Sequence, residues 1–163
     1  MKRSLALILP LMVAACSTPA PPPPRQVAAA PTPPPPPPPP PTDWRDRPYT
    51  PGLWRYADRT ATFGPAGTTP VLTVRCDAGR RMVTLSVWGS APSLTIRTSY
   101  AERTWPAQPS GDGRTVVTFS PTDPTLDQIA FSRGRFSVAG PGIAEIDVPA
   151  WAEPARVIED CRS

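Results

Sequence analysis

Acid–base chemistry in this 163-residue chain has to come from carboxylates. The acid and base that cleave a glycosidic bond would be drawn from Asp123, Asp127, Glu145, Asp147 and Glu153. There is no histidine, and the single lysine is Lys2. Serine–histidine, cysteine–histidine and serine–lysine arrangements therefore lack their base, a lysine Schiff base has no donor within a folded domain, and histidine-ligated zinc or iron is excluded. Arginine stays protonated and cannot serve as a base. No two of the five carboxylates stand in a recognisable catalytic context, so the expectation is a protein that is not an enzyme and uses no cofactor or metal.

Binding chemistry is better represented. In the stretch LDQIAFSRGRF, residues 126 to 136, Arg133 and Arg135 flank Gly134. In an extended chain they would point to one side and grip a carboxylate with paired N–H groups, on a peptidoglycan stem peptide or on the acidic loop of an envelope protein. The alternative is that they pair with the domain's own acids, Asp127, Glu153, Glu159 or Asp160. Of the five tryptophans, Trp54, Trp88 and Trp151 fall in expected strands or helices and are assigned to packing. Trp44 and Trp105 lie in proline-bordered, loop-like segments and are expected to be exposed, with Trp105 a candidate partner contact.

The formal charge of +4 suggests a polyanionic partner until it is located. Lys2, Arg3 and Arg25 carry three of those charges, and residues 43–163 hold 14 arginines against 13 carboxylates. Without a basic cluster or an arginine stripe there is no electrostatic reason to expect nucleic acid.

The positive pair Lys2–Arg3, an apolar run from Leu5 to Val13 and the small residues Ala14–Ala15 have the three-part form of a secretory signal peptide. The run is too short to cross the ~30 Å of hydrocarbon as a helix. Val13-Ala14-Ala15-Cys16 resembles the lipobox of bacterial lipoproteins. The resemblance implies cleavage after residue 15, acylation of Cys16 with three chains including palmitate, and stable attachment to a membrane without spanning it. By the sorting rule that accompanies it, Ser17 favours the inner leaflet of the outer membrane, with the domain facing the periplasm.

Residues 16–42 follow as a tether. Fifteen of the chain's 28 prolines lie between Pro19 and Pro41, nine of them consecutive from Pro33. At ~3.1 Å per residue in polyproline II, the tether reaches up to about 80 Å. With Cys16 taken by lipid, Cys76 and Cys161 are the two thiols left, and in an exported chain they are expected to pair.

Residues 43–163 remain as the domain, and their apolar period is mostly two. Val71–Cys76 and Met82–Trp88 read as a hairpin with Val83, Leu85 and Val87 on one face. Further strands are expected around Trp54–Tyr56, Thr60–Phe63, Leu94–Thr98, Thr115–Phe119, Phe136–Val138 and Ile143–Val148. Asp123 and Pro124 start a short helix that buries Leu126, Ile129 and Ala130 and stops at Gly134. A second helix is expected over residues 149–160, with Trp151, Ala155 and Ile158 as its inner stripe. The fold class is mainly β: a small, disulfide-closed antiparallel sandwich or barrel with one or two short helices.

From Asp123 to Arg162 the chain is similar to uncharacterised lipoproteins of sphingomonads and related alphaproteobacteria, which share the AFSRGRF and RVIEDCR patterns. The similarity extends back through LTVRC over most of residues 53–162. It brings no activity and implies a small envelope domain closed by Cys76 and Cys161. In architecture alone the domain resembles membrane-bound inhibitors of c-type lysozyme and the TagO proteins of type VI secretion, so a protein inhibitor or secretion accessory is the alternative function. The inhibitors' signature segments are missing.

Overall fold

A computed structural model describes residues 43–163; the signal-peptide-like start, Cys16 and the proline tether lie outside the described residues. Strands β1 (Leu53–Ala57) and β2 (Thr60–Gly64), both expected, pair as a hairpin. Asp58 and Arg59 turn it with φ of 46° and 58°, the doubly left-handed pair a two-residue turn requires. Strands β3 (Leu72–Asp77) and β4 (Met82–Trp88) pair with Val74 opposite Leu85. Leu72, Val74 and Cys76 point inward with Val83, Leu85 and Val87, as the alternation requires.

Strand β5 (Ser93–Arg97) follows, then β6 (Glu102–Pro106), β7 (Gln108–Pro109) and β8 (Arg114–Phe119). Next come helix α1 (Pro124–Ala130), the hairpin of β9 (Arg135–Gly140) and β10 (Ile143–Pro149), and helix α2 (Ala152–Arg162). The strands form two antiparallel sheets, in the orders β1-β2-β3-β4-β8-β7 and β10-β9-β5-β6. The sheets do not close on each other, and the architecture is a sandwich. Phe63, Leu85 and Phe119 of one sheet and Leu94, Ile96 and Phe136 of the other are fully buried in the shared core. The sheets meet along one edge where the chain steps from β6 into β7, and Ala107 N–H donates to the Pro92 carbonyl there (2.9 Å).

Sequence periodicity missed β6 and β7. Strand β6 is an exposed edge strand with no inward apolar row. It is held by its ladder to β5, by the Thr95–Thr104 hydroxyl pair (2.8 Å) and by the Arg97–Glu102 ion pair, none of which leaves a hydrophobic signal.

Helix α1 is capped as expected, with the Asp123 side chain accepting from Thr125 N–H (2.8 Å). It ends at Ala130, ahead of Gly134. Helix α2 corrects the expected stripe: its buried residues are Pro154, Val157, Ile158 and Cys161, while Trp151 is an exposed N-cap residue. The Cys76–Cys161 disulfide, with Cα atoms 5.4 Å apart, requires Cys161 to face β3. Residues three, four and seven positions before it then turn inward with it.

Residues 43–50 strap across the four-stranded sheet. Arg47 donates to both oxygens of Glu145 (2.5 Å each) and to Asp147 (3.2 Å). Thr50 N–H donates to the Asp147 carbonyl (2.8 Å), and Asp147 N–H returns a bond to the Thr50 hydroxyl (3.0 Å). A bulge in β10 between Ile143 and Ile146 includes Glu145, the kind of irregularity that re-aims a side chain.

Candidate functional site

The stretch LDQIAFSRGRF runs from α1 into β9, and its exposed members gather at one end of the sandwich. Leu126 and Ile129 anchor α1 in the core. That leaves Asp127 and Gln128 on the outer side, with Phe131 as C-cap just beyond. Phe131 is 63 % exposed and Tyr100, on the neighbouring β5–β6 turn, is 55 % exposed. They are the two most exposed large apolar side chains among the described residues. Together with Asp127 and Gln128 they line a shallow depression of about 230 Å³.

The loops carrying these rings are tied together. Ser99 N–H donates to the Ser132 hydroxyl (2.9 Å), and Arg133 N–H donates to the Ser99 hydroxyl (2.8 Å). Ser132 in turn donates to the Arg135 carbonyl. Within the turn, the Thr98 hydroxyl accepts from the amides of Tyr100 (3.2 Å) and Ala101 (3.1 Å). Two large apolar groups are thus held in water on hydrogen-bonded loops, which lowers the ordering cost a partner would meet on binding.

The charges around the rings are unequal. Asp127 pairs with Arg162 (2.8 Å), which also bonds Glu159 (3.3 Å) and through Nε the Pro121 carbonyl (2.9 Å). Arg133 is exposed, and among the described residues no carboxylate lies within ion-pair distance of it. The patch therefore offers two aromatic faces, an amide and one unspent cation.

The expected grip by Arg133 and Arg135 together does not form. Gly134 has φ +81°, a left-handed residue that breaks the extended run and separates the two. Arg135 is consumed by the strap: it donates to the carbonyls of Arg47 (2.5 Å) and Trp44 (3.4 Å) and lies 4.1 Å over the Tyr49 ring. Its partners are backbone carbonyls and a ring, and neither the carboxylate ligand nor the acids weighed for it.

Trp105 is also reassigned. It lies in β6 opposite Leu94, half-buried and edge-on to Phe119 (5.2 Å), and its indole N–H is out of solvent with no partner. It packs the core and is unavailable to a ligand. Trp54 packs as expected between Phe63 and Phe136, donating to the Pro149 carbonyl (2.8 Å). Trp44 is half-buried beside Arg45 and Arg97. Trp88 and Trp151, both assigned to packing, are 41 % and 46 % exposed. For Trp88 the signal was present: Val83, Leu85 and Val87 face inward, so the residue after Val87 must face outward.

Four of the five candidate acid–base groups have structural employment, and Glu153, in the first turn of α2, makes no ion pair among the described residues. Asp123 caps α1, Asp127 pairs with Arg162, and Glu145 and Asp147 share Arg47. Hydrogen bonds from Arg47 hold the Glu145 carboxyl below its usual range, whereas burial pushes Asp147 above its own. Among the described residues no cluster of three metal-ligating side chains occurs. No protein family, curated protein or solved structure matches the chain, so its function is argued from the geometry above.

Proposed function

We propose that the protein is a non-enzymatic module of the bacterial envelope, lipid-anchored through Cys16 and extended on its proline tether. It holds a partner protein at the patch made by Tyr100, Phe131 and Arg133. The observation that carries this reading is the pairing of two mostly exposed aromatic rings on loops stapled to each other by Ser99 and Ser132. Aromatic and arginine side chains at the centre of a contact carry most of the energy of protein recognition. With Asp127 already paired and Arg133 unpaired among the described residues, the partner of best fit places an apolar anchor between the rings and an acidic group on Arg133. Among the described residues no helix is long and apolar enough to cross a membrane.

The test is site-specific photocrosslinking of the full-length protein in intact cells. A crosslinker in place of Tyr100 or Phe131 is expected to trap one protein that the same crosslinker at the exposed Trp151 does not trap, and Arg133→Glu should abolish the adduct. If the adduct is a lysozyme-like enzyme, the module is an inhibitor. Equal adducts at all three positions, or a hydrolytic activity of the purified protein lost in Asp127→Ala or Glu153→Ala, would refute the proposal.

A further inference from the structure

A second surface lies on the outer face of the six-stranded sheet. Arg114 starts β8 with its side chain across β4 and β3, only 8 % exposed. Its Nε–H donates to the Ser86 hydroxyl (3.2 Å), one Nη1–H to the Pro70 carbonyl (3.1 Å), and the Nη2 protons to the Thr73 hydroxyl (3.1 Å) and the Ser86 carbonyl (3.0 Å). Trp88 stacks against the guanidinium, 4.9 Å from ring centre to Cζ, and is itself fixed by donating to the Pro70 carbonyl (2.9 Å). Among the described residues no carboxylate is within ion-pair distance of Arg114. A buried charge ordinarily has such a partner, because neutral acceptors return only part of the lost hydration.

A guanidinium has five N–H donors, and the bonds above commit four. The fifth is on Nη1. Arg114 lines a groove of about 330 Å³ with Thr73, Arg75, Ser86, Ser110 and Asp112. Thr73 and Ser86 accept from Arg114 through their hydroxyl oxygens and, among the described residues, donate to nothing, so each keeps a free O–H. Arg75 is exposed and unpaired among the described residues. One end of the groove therefore presents two guanidiniums and two hydroxyls with free O–H donors.

The other end has the opposite character. Asp112 accepts from the Ser110 hydroxyl (2.5 Å) and has acceptor capacity to spare. It would repel a bare phosphate filling the groove. A hydroxyl-bearing skeleton with its negative charge at the arginine end would instead donate to Asp112. The volume is that of about eleven waters at ~30 Å³ each, enough for one sugar ring with an acid group.

We propose that this groove binds a sugar acid, with its carboxylate on Arg75 and the free hydroxyls of Thr73 and Ser86, beside the buried charge of Arg114, and a ring hydroxyl on Asp112. The site is separate from the aromatic patch. It would let the domain hold an acidic glycan while the patch holds a protein.

The test titrates ¹⁵N-labelled full-length protein at low salt with glucuronate, glucose and inorganic phosphate. Glucuronate should saturably shift the side-chain Nε–H signals of Arg75 and Arg114 and the Ser110 amide, and glucose should leave them in place. Arg75→Gln should weaken glucuronate about tenfold, the loss of one charge-assisted contact, and Thr73→Val should weaken it by a smaller factor. Arg75 is exposed, so Arg75→Gln should leave the melting temperature in place, whereas Thr73→Val takes an acceptor from the buried Arg114 and should lower it; the test does not depend on replacing Arg114. Equal response to glucose, no response to glucuronate, phosphate binding with glucuronate silent, or unchanged affinity in Arg75→Gln would each overturn the proposal.

Discussion

Removing the Cys76–Cys161 bond, by Cys76→Ser with Cys161→Ser, closes no loop in the unfolded chain where the native protein closes one spanning 85 positions of sequence. Loop-closure entropy for that length is about 4.5 kcal/mol at 25 °C. The two sulfurs are buried, so exchanging them for hydroxyls adds a smaller cost. Val157 and Ile158 stay buried against the sheet without the bond, and α2 should remain docked. For a domain of about 120 residues the entropy of unfolding near 60 °C is roughly 2.1 cal/mol/K per residue, which converts the loss to a fall of about 15–20 °C in melting temperature. Because the effect is on the unfolded chain, the native amide spectrum should change only around residues 76 and 161, and the urea m-value should rise as the freed chain exposes more surface. Calorimetry and urea titration of the oxidised protein beside the double variant make the measurement. A fall of less than about 5 °C with an unchanged m-value would refute the entropic account, and a melted α2 would mean that the bond itself keeps the helix in place.

Other expectations follow from single contacts. Glu145 is held below its usual range by Arg47, so its contribution exists above its unfolded pKa of about 4.3 and disappears as pH falls through the folded value; urea titrations should find Glu145→Gln weaker by about 1–2 kcal/mol at pH 7, with the difference shrinking as pH falls below about 4.3. Asp147 is shifted upward by burial, the opposite sign, so Asp147→Asn should cost less at pH 7 than Glu145→Gln. Arg135→Ala strips the donor from two strap carbonyls and uncovers Tyr49; it should make residues 43–50 the first site of limited proteolysis while the disulfide-closed remainder resists. Trp105→Phe deletes a buried N–H that has no partner and should be neutral or stabilising, whereas Trp54→Phe loses the bond to Pro149 and should cost about 1 kcal/mol; the two melting curves decide it.

Much of the fold was legible because inward side chains repeat on a fixed period. Val83, Leu85 and Val87 marked β4, and Asp123 with Pro124 marked α1, each through local chemistry that survives in any tertiary setting. The distinctive stretch at residues 126–136 was legible in part. It drew attention to Arg133, which stays exposed, and to Arg135, which the strap consumes, but not to Phe131 or the distant Tyr100. Nothing in a sequence says that residues 99 and 132 exchange hydrogen bonds, because they lie on turns brought together only when β5 pairs with β9.

The amino-acid sequence by itself determined the chemistry available, with no histidine and no lysine after residue 2, and it determined the strands, the capped first helix and the two thiols that close the domain. The tertiary structure alone decided sandwich over barrel, the rotation of α2, the burial of Trp105, the strap that consumes Arg135 and the burial of Arg114 without an ion-pair partner. The physical reason is that periodicity and capping are properties of neighbours in the chain. Which side chain is left without a partner depends on contacts between residues tens of positions apart.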